Sequence, residues 1–149
     1  MPDFGAIADA IAARYTDAVV VQPAGADPIR DSTANLPNAL GALPTVLVFP
    51  DLGTFEQGNG TRLGGSDWLV RLYYSELASG DLERDTAILL DYLTVLADQH
   101  RTLATLGGTV TIVRTMGWRV GVLKYAGKLF AGLELRVHAV TTEGWPVSA

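Results

Sequence analysis

The chain has 149 residues, which suits one domain with a sizeable core, and its lack of cysteine excludes disulfides, zinc–thiolate sites and thiol nucleophiles. Its 11 lysines and arginines against 16 acidic residues give a net charge of -5, which argues against a broad nucleic-acid-binding surface but allows a local basic patch. The hydrophobic fraction of 48% is high, and burial between subunits or a well-filled monomeric core would each account for it. No apolar run approaches the roughly 20 residues that span a bilayer, and the N-terminus lacks the basic start of a secretory signal, so we expect a protein made and kept in the cytosol.

The N-terminal third is predicted to contain one helix, an irregular arm and a buried strand. Apolar residues from Phe4 to Tyr15 recur every three or four positions, which predicts an amphipathic helix with Asp3 as its N-terminal cap. Prolines and glycines interrupt residues 22–43, so we expect an extended arm there and regard it as a candidate contact segment. The apolar run 44–50 does not alternate, and this is typical of a strand that is covered on both faces.

Residues 51–66 are rich in glycine and are predicted to form either a mobile loop or a flared hairpin. Within this segment, residues 60–66 have glycines and a serine in the manner of a phosphate-binding loop, but they include no lysine and open no helix, so we expect no nucleotide site. Phe55, Arg62 and Leu63 lie in the segment and are candidate contact residues. For Phe55, folding back onto its own sheet is an equally good interpretation.

The next part of the chain is predicted to form a strand, a long helix and further strands. Alternation predicts a strand around Trp68, and leucines at helical spacing predict a helix over 82–103. Val110 and Ile112 follow that helix in a short strand and are expected to face the core. Trp118, like Trp68, is expected to pack in the core or against a neighbouring strand.

The last predicted strand, 129–141, shows the strictest alternation in the chain. Its odd positions are apolar, which predicts that one face of the strand lies on the core. Its even positions include Phe130, Glu134, Arg136 and His138, which we expect to face water or a neighbour. Glu134, Arg136 and His138 are therefore candidate subunit or partner contacts.

The predicted order of helix, strands, long helix and strands indicates an α+β protein. We expect a single mixed, mainly antiparallel sheet with the long helix and the N-terminal helix packed on one face. The whole chain, 1–149, should form one domain, with an extended arm at 22–43 and the glycine-rich segment at 51–66 as its irregular parts.

No catalytic, cofactor-binding or metal site is expected. His100 and His138 are the only histidines, and neither has a companion at metal-ligand spacing, so ordinary packing or surface roles are favoured. Near the end of the long helix, His100 is expected to be partly protonated and to interact favourably with the helix dipole. The acidic residues along 82–103 are predicted to lie on a solvated helix face rather than to form a catalytic carboxylate pair.

Residues 36–40 and 43–48, the long helix, and residues 125–137 together resemble the tail terminator proteins of long-tailed bacteriophages, also called tail completion or head-tail joining proteins. These are small α+β proteins, and the order of elements agrees with theirs over nearly the whole chain. The resemblance implies a structural, non-enzymatic virion protein that forms a hexameric ring, caps the tail tube, stops its polymerisation and offers a docking surface to the head connector. Such a protein is assembled in the host cytoplasm and resides in the tail or neck of the virion.

The same resemblance implies partners but no cofactor and no membrane. The partners are other copies of the chain, the tail tube protein and the head connector or head-closure protein, while DNA passes through the lumen without sequence-specific binding. Ring contacts are expected from strand edges, the arm at 22–43 and the glycine-rich segment, and acidic residues are candidates to line the lumen. Two other interpretations stay open: another neck or tail component, such as a head-closure or tail-tube protein, and a small cytosolic ligand-binding domain or enzyme that uses Arg62 and His138.

Overall fold

The computed structural model of the chain describes residues 3–16, 23, 26–58, 61–77, 82–102, 106 and 112–144. Within these ranges, only the backbone is described for 54–58, 61–63, 82–83, 101–102 and 142–144. Its elements in chain order are α1 (Phe4–Ala13), β1 (Asp31–Thr33), β2 (Thr45–Gly58), β3 (Thr61–Glu76), α2 (Leu82–Thr102), β4 (Ile112–Tyr125) and β5 (Lys128–Gly144). Over the described parts of the chain, no helix is both long enough and apolar enough to cross a membrane.

The described strands form one five-stranded sheet with the order β1-β2-β3-β5-β4. β1 pairs with β2 in parallel, and the pairs β2–β3, β3–β5 and β4–β5 are antiparallel. The predicted α+β class, with a single mixed and mainly antiparallel sheet, is therefore confirmed.

The main core lies on one face of this sheet, where both helices pack. Ile7 and Ile11 of α1 and Leu89 and Leu96 of α2 are buried in one cluster with apolar side chains from β2, β3 and β5. The odd positions of β5 supply the centre of this cluster, since Leu133, Leu135, Val137 and Ala139 are each at most 2% exposed. We call this side of the sheet the helix face and the other side the open face.

Local sequence explains both helices. Asp3 caps α1 as predicted, because its Oδ1 accepts a hydrogen bond of 3.0 Å from the backbone N–H of Ala6. Tyr15 lies just beyond the end of α1 and is fully buried. In α2, Leu89, Leu93 and Leu96 are buried on one side of the helix, as the leucine spacing predicts.

The start of β2 is covered on both faces, as its unbroken apolar run predicts. Val46 and Val48 belong to the cluster on the helix face. Leu47, between them, belongs to a second cluster with Tyr73 and Phe130. Successive side chains of a strand point to opposite faces, so the second cluster lies on the open face.

The predicted arm, described at residues 23 and 26–43, is attached to the rest of the described fold at several points. β1 extends the sheet beside the start of β2. The Tyr92 hydroxyl donates to the carbonyl of Asp27, and the Tyr125 hydroxyl donates to the carbonyl of Pro37. Residues 22, 24 and 25 of the arm lie outside the described residues.

The glycine-rich segment 51–66 is not a loop but the outer half of a long hairpin. β2 and β3 stay paired from Leu52 opposite Asp67 to Gly58 opposite Thr61, and residues 59 and 60 lie outside the described residues. β5 supports this extension, because Gly144 still pairs with Thr61. A third strand supplies the pairing that isolated two-stranded hairpins lack in water, so the glycines do not prevent strand formation.

Two predictions on β4 are wrong, one because of a bulge and one because β4 is the outermost described strand. The register of β4 on β5 shifts between Thr115 and Gly117, which inverts the alternation of side chains along the strand. Val113 is therefore buried, whereas Ile112 is 41% exposed. Trp118 pairs with Leu135 on the helix face, but β4 is the last strand of the described sheet, and Trp118 is 61% exposed instead of packed. Val110 lies outside the described residues.

Candidate functional site

The open face has an apolar end beside the β4–β5 turn. Leu47, Tyr73, Leu123 and Phe130 form its buried cluster, and Leu40, Leu43, Phe49 and Tyr125 pack against it. The ring of Tyr73 meets that of Phe130 edge to face, with centroids 5.5 Å apart. The prediction that Phe130 faces a neighbour is therefore wrong, because Leu40 and Leu43 of the arm pack against the cluster that buries it.

The middle of the open face carries a charged row centred on Glu134. Strand pairing aligns Arg71 of β3, Glu134 of β5 and Arg119 of β4 across the sheet. Arg71 Nε lies 2.7 Å from Glu134 Oε2, and Arg119 Nη2 lies 3.8 Å from the same oxygen. Glu134 is only 16% exposed and Arg71 27%, whereas Arg119 is 58% exposed. One shielded carboxylate thus joins an inner and an outer guanidinium.

Arg71 is held on several sides. Its guanidinium carbon lies 4.9 Å from the centre of the Phe49 ring, which places a cation over an aromatic face. Burial lowers the pKa of Arg71, but the hydrogen bond and the charge of Glu134 outweigh burial and raise the pKa overall. Arg71 is therefore a fixed cation of the sheet rather than a mobile surface group.

Two further pairs continue the charged row along β5. Arg136 Nη2 lies 3.7 Å from Asp51 Oδ2, with both side chains well exposed. His138 Nδ1 lies 2.5 Å from Asp67 Oδ1, with both side chains about one quarter exposed. The predicted contact residues Glu134, Arg136 and His138 are thus brought together on one face, and each has an oppositely charged or hydrogen-bonding partner.

The other three predicted contact residues lie apart from this row. Phe55, Arg62 and Leu63 pair through their backbones in the outer half of the β2–β3 hairpin, beyond Asp67. Their side chains lie outside the described part of the structure.

Four charged residues of this surface were missed by the sequence analysis: Asp51, Asp67, Arg71 and Arg119. Arg71 and Asp67 alternate with the buried residues of β3, so their outward direction could have been read from the sequence. Their alignment with β5 could not, because bulges in each strand pair shift the register.

A shallow depression of about 390 Å³ runs beside the row. It is lined by Asp67, Met116, Gly117, Trp118, Arg119, Glu134 and Arg136. Its apolar lining residues are Met116, at the bulge, and Trp118, on the outermost described strand, and they are 59% and 61% exposed. Among the residues that the structure describes, no three His, Asp or Glu side chains are grouped so that they could hold a metal ion.

His100 lies away from this surface, buried where the end of α2 meets the end of α1. Its Nε2 is hydrogen-bonded to the Tyr15 hydroxyl, and Arg14 donates a 3.3 Å hydrogen bond to Gln99 beside it. Burial lowers the pKa of His100 to about 4, and the charge of Arg14 acts in the same direction. The expectation of a partly protonated imidazole is therefore wrong, because desolvation outweighs the helix dipole, and His100 is a neutral packing residue at pH 7.

The described residues form an α+β fold whose open face carries a row of charged side chains in its middle part. Side chains of three strands, with Asp51 of β2 at the margin, contribute charges to that surface. Comparison of the sequence with protein-family models and with curated protein sequences finds no match.

Proposed function

We propose that this chain is a structural protein of a bacteriophage tail: a tail terminator that forms a hexameric ring, caps the tail tube, stops its polymerisation and provides the docking surface for the head connector. The observation that best supports this function is the charged row on the open face. A surface with fixed, partly exposed charges suits a protein that acts by contact with other proteins. The resemblance of the sequence to tail terminators supplies the particular role.

The geometry of the row suits docking because its charges are already arranged. Arg71 and Glu134 hold each other at 2.7 Å, so little side-chain entropy would be lost when a partner approaches. Arg119 and Arg136 are more than half exposed and carry charge to the surface. A partner with acidic side chains could bind these two arginines without disturbing the inner pair.

The balance of charge favours a protein partner rather than the DNA lumen for this face. Four arginines lie along the charged row against three carboxylates, which leaves this part of the face with one excess positive charge on a chain whose net charge is -5. The residues are Arg71, Arg114, Arg119 and Arg136 against Asp51, Asp67 and Glu134. A lumen lined by exposed arginines would bind DNA phosphates and hinder passage. The acidic side chains expected at the lumen must then come from another part of the chain.

Light scattering and negative-stain imaging test the ring directly. The expected mass is six times the 15.8 kDa of one chain, and the expected image is a closed ring. A chain that stays monomeric at high concentration, even with its tail tube protein present, would overturn the proposal.

A tube-growth assay separates the terminator from its neighbours in the virion. Adding the chain to polymerising tail tube protein should stop growth and leave gold-labelled chain at one end of each tube. Label along the whole tube would identify a tail-tube protein instead. Binding to the head connector without any effect on tube growth would identify a head-closure protein.

A further inference from the structure

The sheet has two long edges without a strand partner among the described residues. β4 pairs with β5 on one side, and no described strand pairs with its other side. β1 covers only the first three residues of β2, so the edge of β2 from Val48 onwards is also without a described partner. Unpaired backbone N–H and C=O groups along a strand edge can pair with another chain.

The strand directions allow these two edges to meet in copies of the same orientation. β2, β3, β5 and β4 alternate in direction across the sheet, so β2 and β4 run in opposite directions. If a second copy is placed beside the first by a translation and a rotation, its β2 lies antiparallel to β4 of the first copy. Such a contact is heterologous, and it continues as a ring when the rotation closes.

Charge favours this contact over the two symmetric alternatives. β4 carries Arg114, Arg119 and Lys124 and no acidic residue. β2 carries Asp51 and Glu56 and no basic residue. Pairing β4 with β4 would bring like charges together, as would pairing β2 with β2, and like charges on neighbouring strands are destabilising. Only the pairing of β4 with β2 combines opposite charges.

Exposed apolar side chains on both edges are available for burial in the same contact. On β4, Met116, Trp118 and Val122 are 59%, 61% and 41% exposed. On β2, Leu52 is 63% exposed. The bulges interrupt each edge near Asp51 and Met116, so a regular ladder can form over 52–58 of β2 and 117–125 of β4.

We infer that copies of this chain associate head to tail by adding the β2 edge of one copy to the β4 edge of the next. This contact rests on the self-assembly in the proposed function and names the surfaces that carry it out. The partner is a second copy of the chain, held by backbone hydrogen bonds, apolar side chains and opposite charges.

A charge-reversal cycle tests the contact without knowledge of its register. One variant combines Arg114→Glu with Lys124→Glu, which leaves β4 with one cation and two acids facing an acidic β2. The other combines Asp51→Lys with Glu56→Lys, which makes both edges basic. Each variant alone should lose the oligomer and elute at the 15.8 kDa monomer mass. All four substitutions together make β2 basic and β4 acidic and should restore the oligomer.

The control reverses two exposed acids elsewhere, Asp9→Lys in α1 and Asp91→Lys in α2. This variant should remain oligomeric, and circular dichroism should show that every variant melts as a folded protein. If the edge variants stay oligomeric, or if the combined variant is no better than either half, the edge contact is wrong while the ring proposal stands. If the unaltered chain is monomeric, both proposals fail.

Cross-linking gives a second, independent measurement, because the chain has no cysteine of its own. A variant with Leu52→Cys and Lys124→Cys, which lie close together in an antiparallel ladder of 52–58 with 117–125, should form covalent multimers beyond the dimer when treated with a short bismaleimide. Lys124→Cys alone should stay monomeric on a denaturing gel. Dimers of that single variant would indicate a β4–β4 contact and would overturn the inference.

Discussion

Replacing Glu134 with glutamine removes the shared carboxylate of the charged row and leaves Arg71 without its ionic partner. Charge-assisted hydrogen bonds of this kind are worth about 1.5–3 kcal/mol. The glutamine amide oxygen still accepts from Arg71 but no longer balances its charge, and Arg71 is 27% exposed, so water compensates part of the loss. We therefore expect a decrease of about 2 kcal/mol in the free energy of unfolding. For a domain of this size that corresponds to a melting temperature lower by about 4–8 °C.

Arg136→Gln is the matched control on the same face of the same strand. Its pair with Asp51 spans 3.7 Å, and the two side chains are 52% and 36% exposed. Exposed pairs of this kind contribute about 0–1 kcal/mol, so the melting temperature should change by only a few degrees at most.

Thermal unfolding followed by circular dichroism at neutral pH compares the two variants. Equal losses, or a larger loss for Arg136→Gln, would refute the claim that shielding from water sets the strength of these pairs. The comparison also separates fold from assembly. Arg136→Gln should weaken partner binding while the fold stays intact. A change at Glu134 should lower both partner binding and the stability of the fold, so it cannot separate the two effects.

Three further predictions concern the fold. Gly132→Ala should destabilise the protein by about 1–3 kcal/mol in denaturant unfolding, because a Cβ there would clash with the backbone carbonyl of Leu72 in β3. Gly121→Ala, at the paired position of β4, is the control: its Cβ meets nothing within 4 Å, so it should be nearly neutral. Trp68→Ala should cost about 3–5 kcal/mol and Trp118→Ala about 0.5 kcal/mol or less, measured the same way. Burial lowers the pKa of His100 from 6.5 to about 4, so the unfolded chain takes up the proton before the folded protein does. The free energy of unfolding should therefore be at its full value above pH 6.5 and fall by about 3 kcal/mol as the pH drops to 4. Thermal melts at a series of pH values should show this decrease, and His100→Gln should remove it.

Local periodicity was sufficient to predict much of the fold. The three- and four-residue spacing in α1 and α2 and the two-residue spacing in β5 are properties of neighbouring residues, and each element formed where its pattern indicated. Leu133, Leu135 and Val137 were assigned to the core from alternation alone, and each is at most 2% exposed. The outward direction of Glu134 and Arg136 follows from the same pattern.

Features that depend on distant parts of the chain were not predictable in this way. The pair of Arg71 and Glu134 joins residues 63 positions apart and depends on a register that bulges shift. The bulge near Met116 reverses the faces of β4, which is why Ile112 was assigned to the wrong side. The burial of His100 depends on how α1 and α2 dock, and the spacing within α2 contains no information about that contact.

The two proposed contact surfaces differ physically, and salt should separate them. Partly shielded charges often stabilise a fold no better than apolar residues of similar size, so the charged row on the open face is better explained by a polar partner than by stability of the monomer. Contacts made through exposed charges such as Arg119 and Arg136 weaken as salt screens them. Salt also weakens the opposite charges at the β2–β4 edge, but this contact adds backbone hydrogen bonds and burial of side chains such as Trp118 and Leu52, and salt screens neither of these. Raising the salt concentration should therefore release a partner docked on the open face before it disassembles the copies joined through their edges.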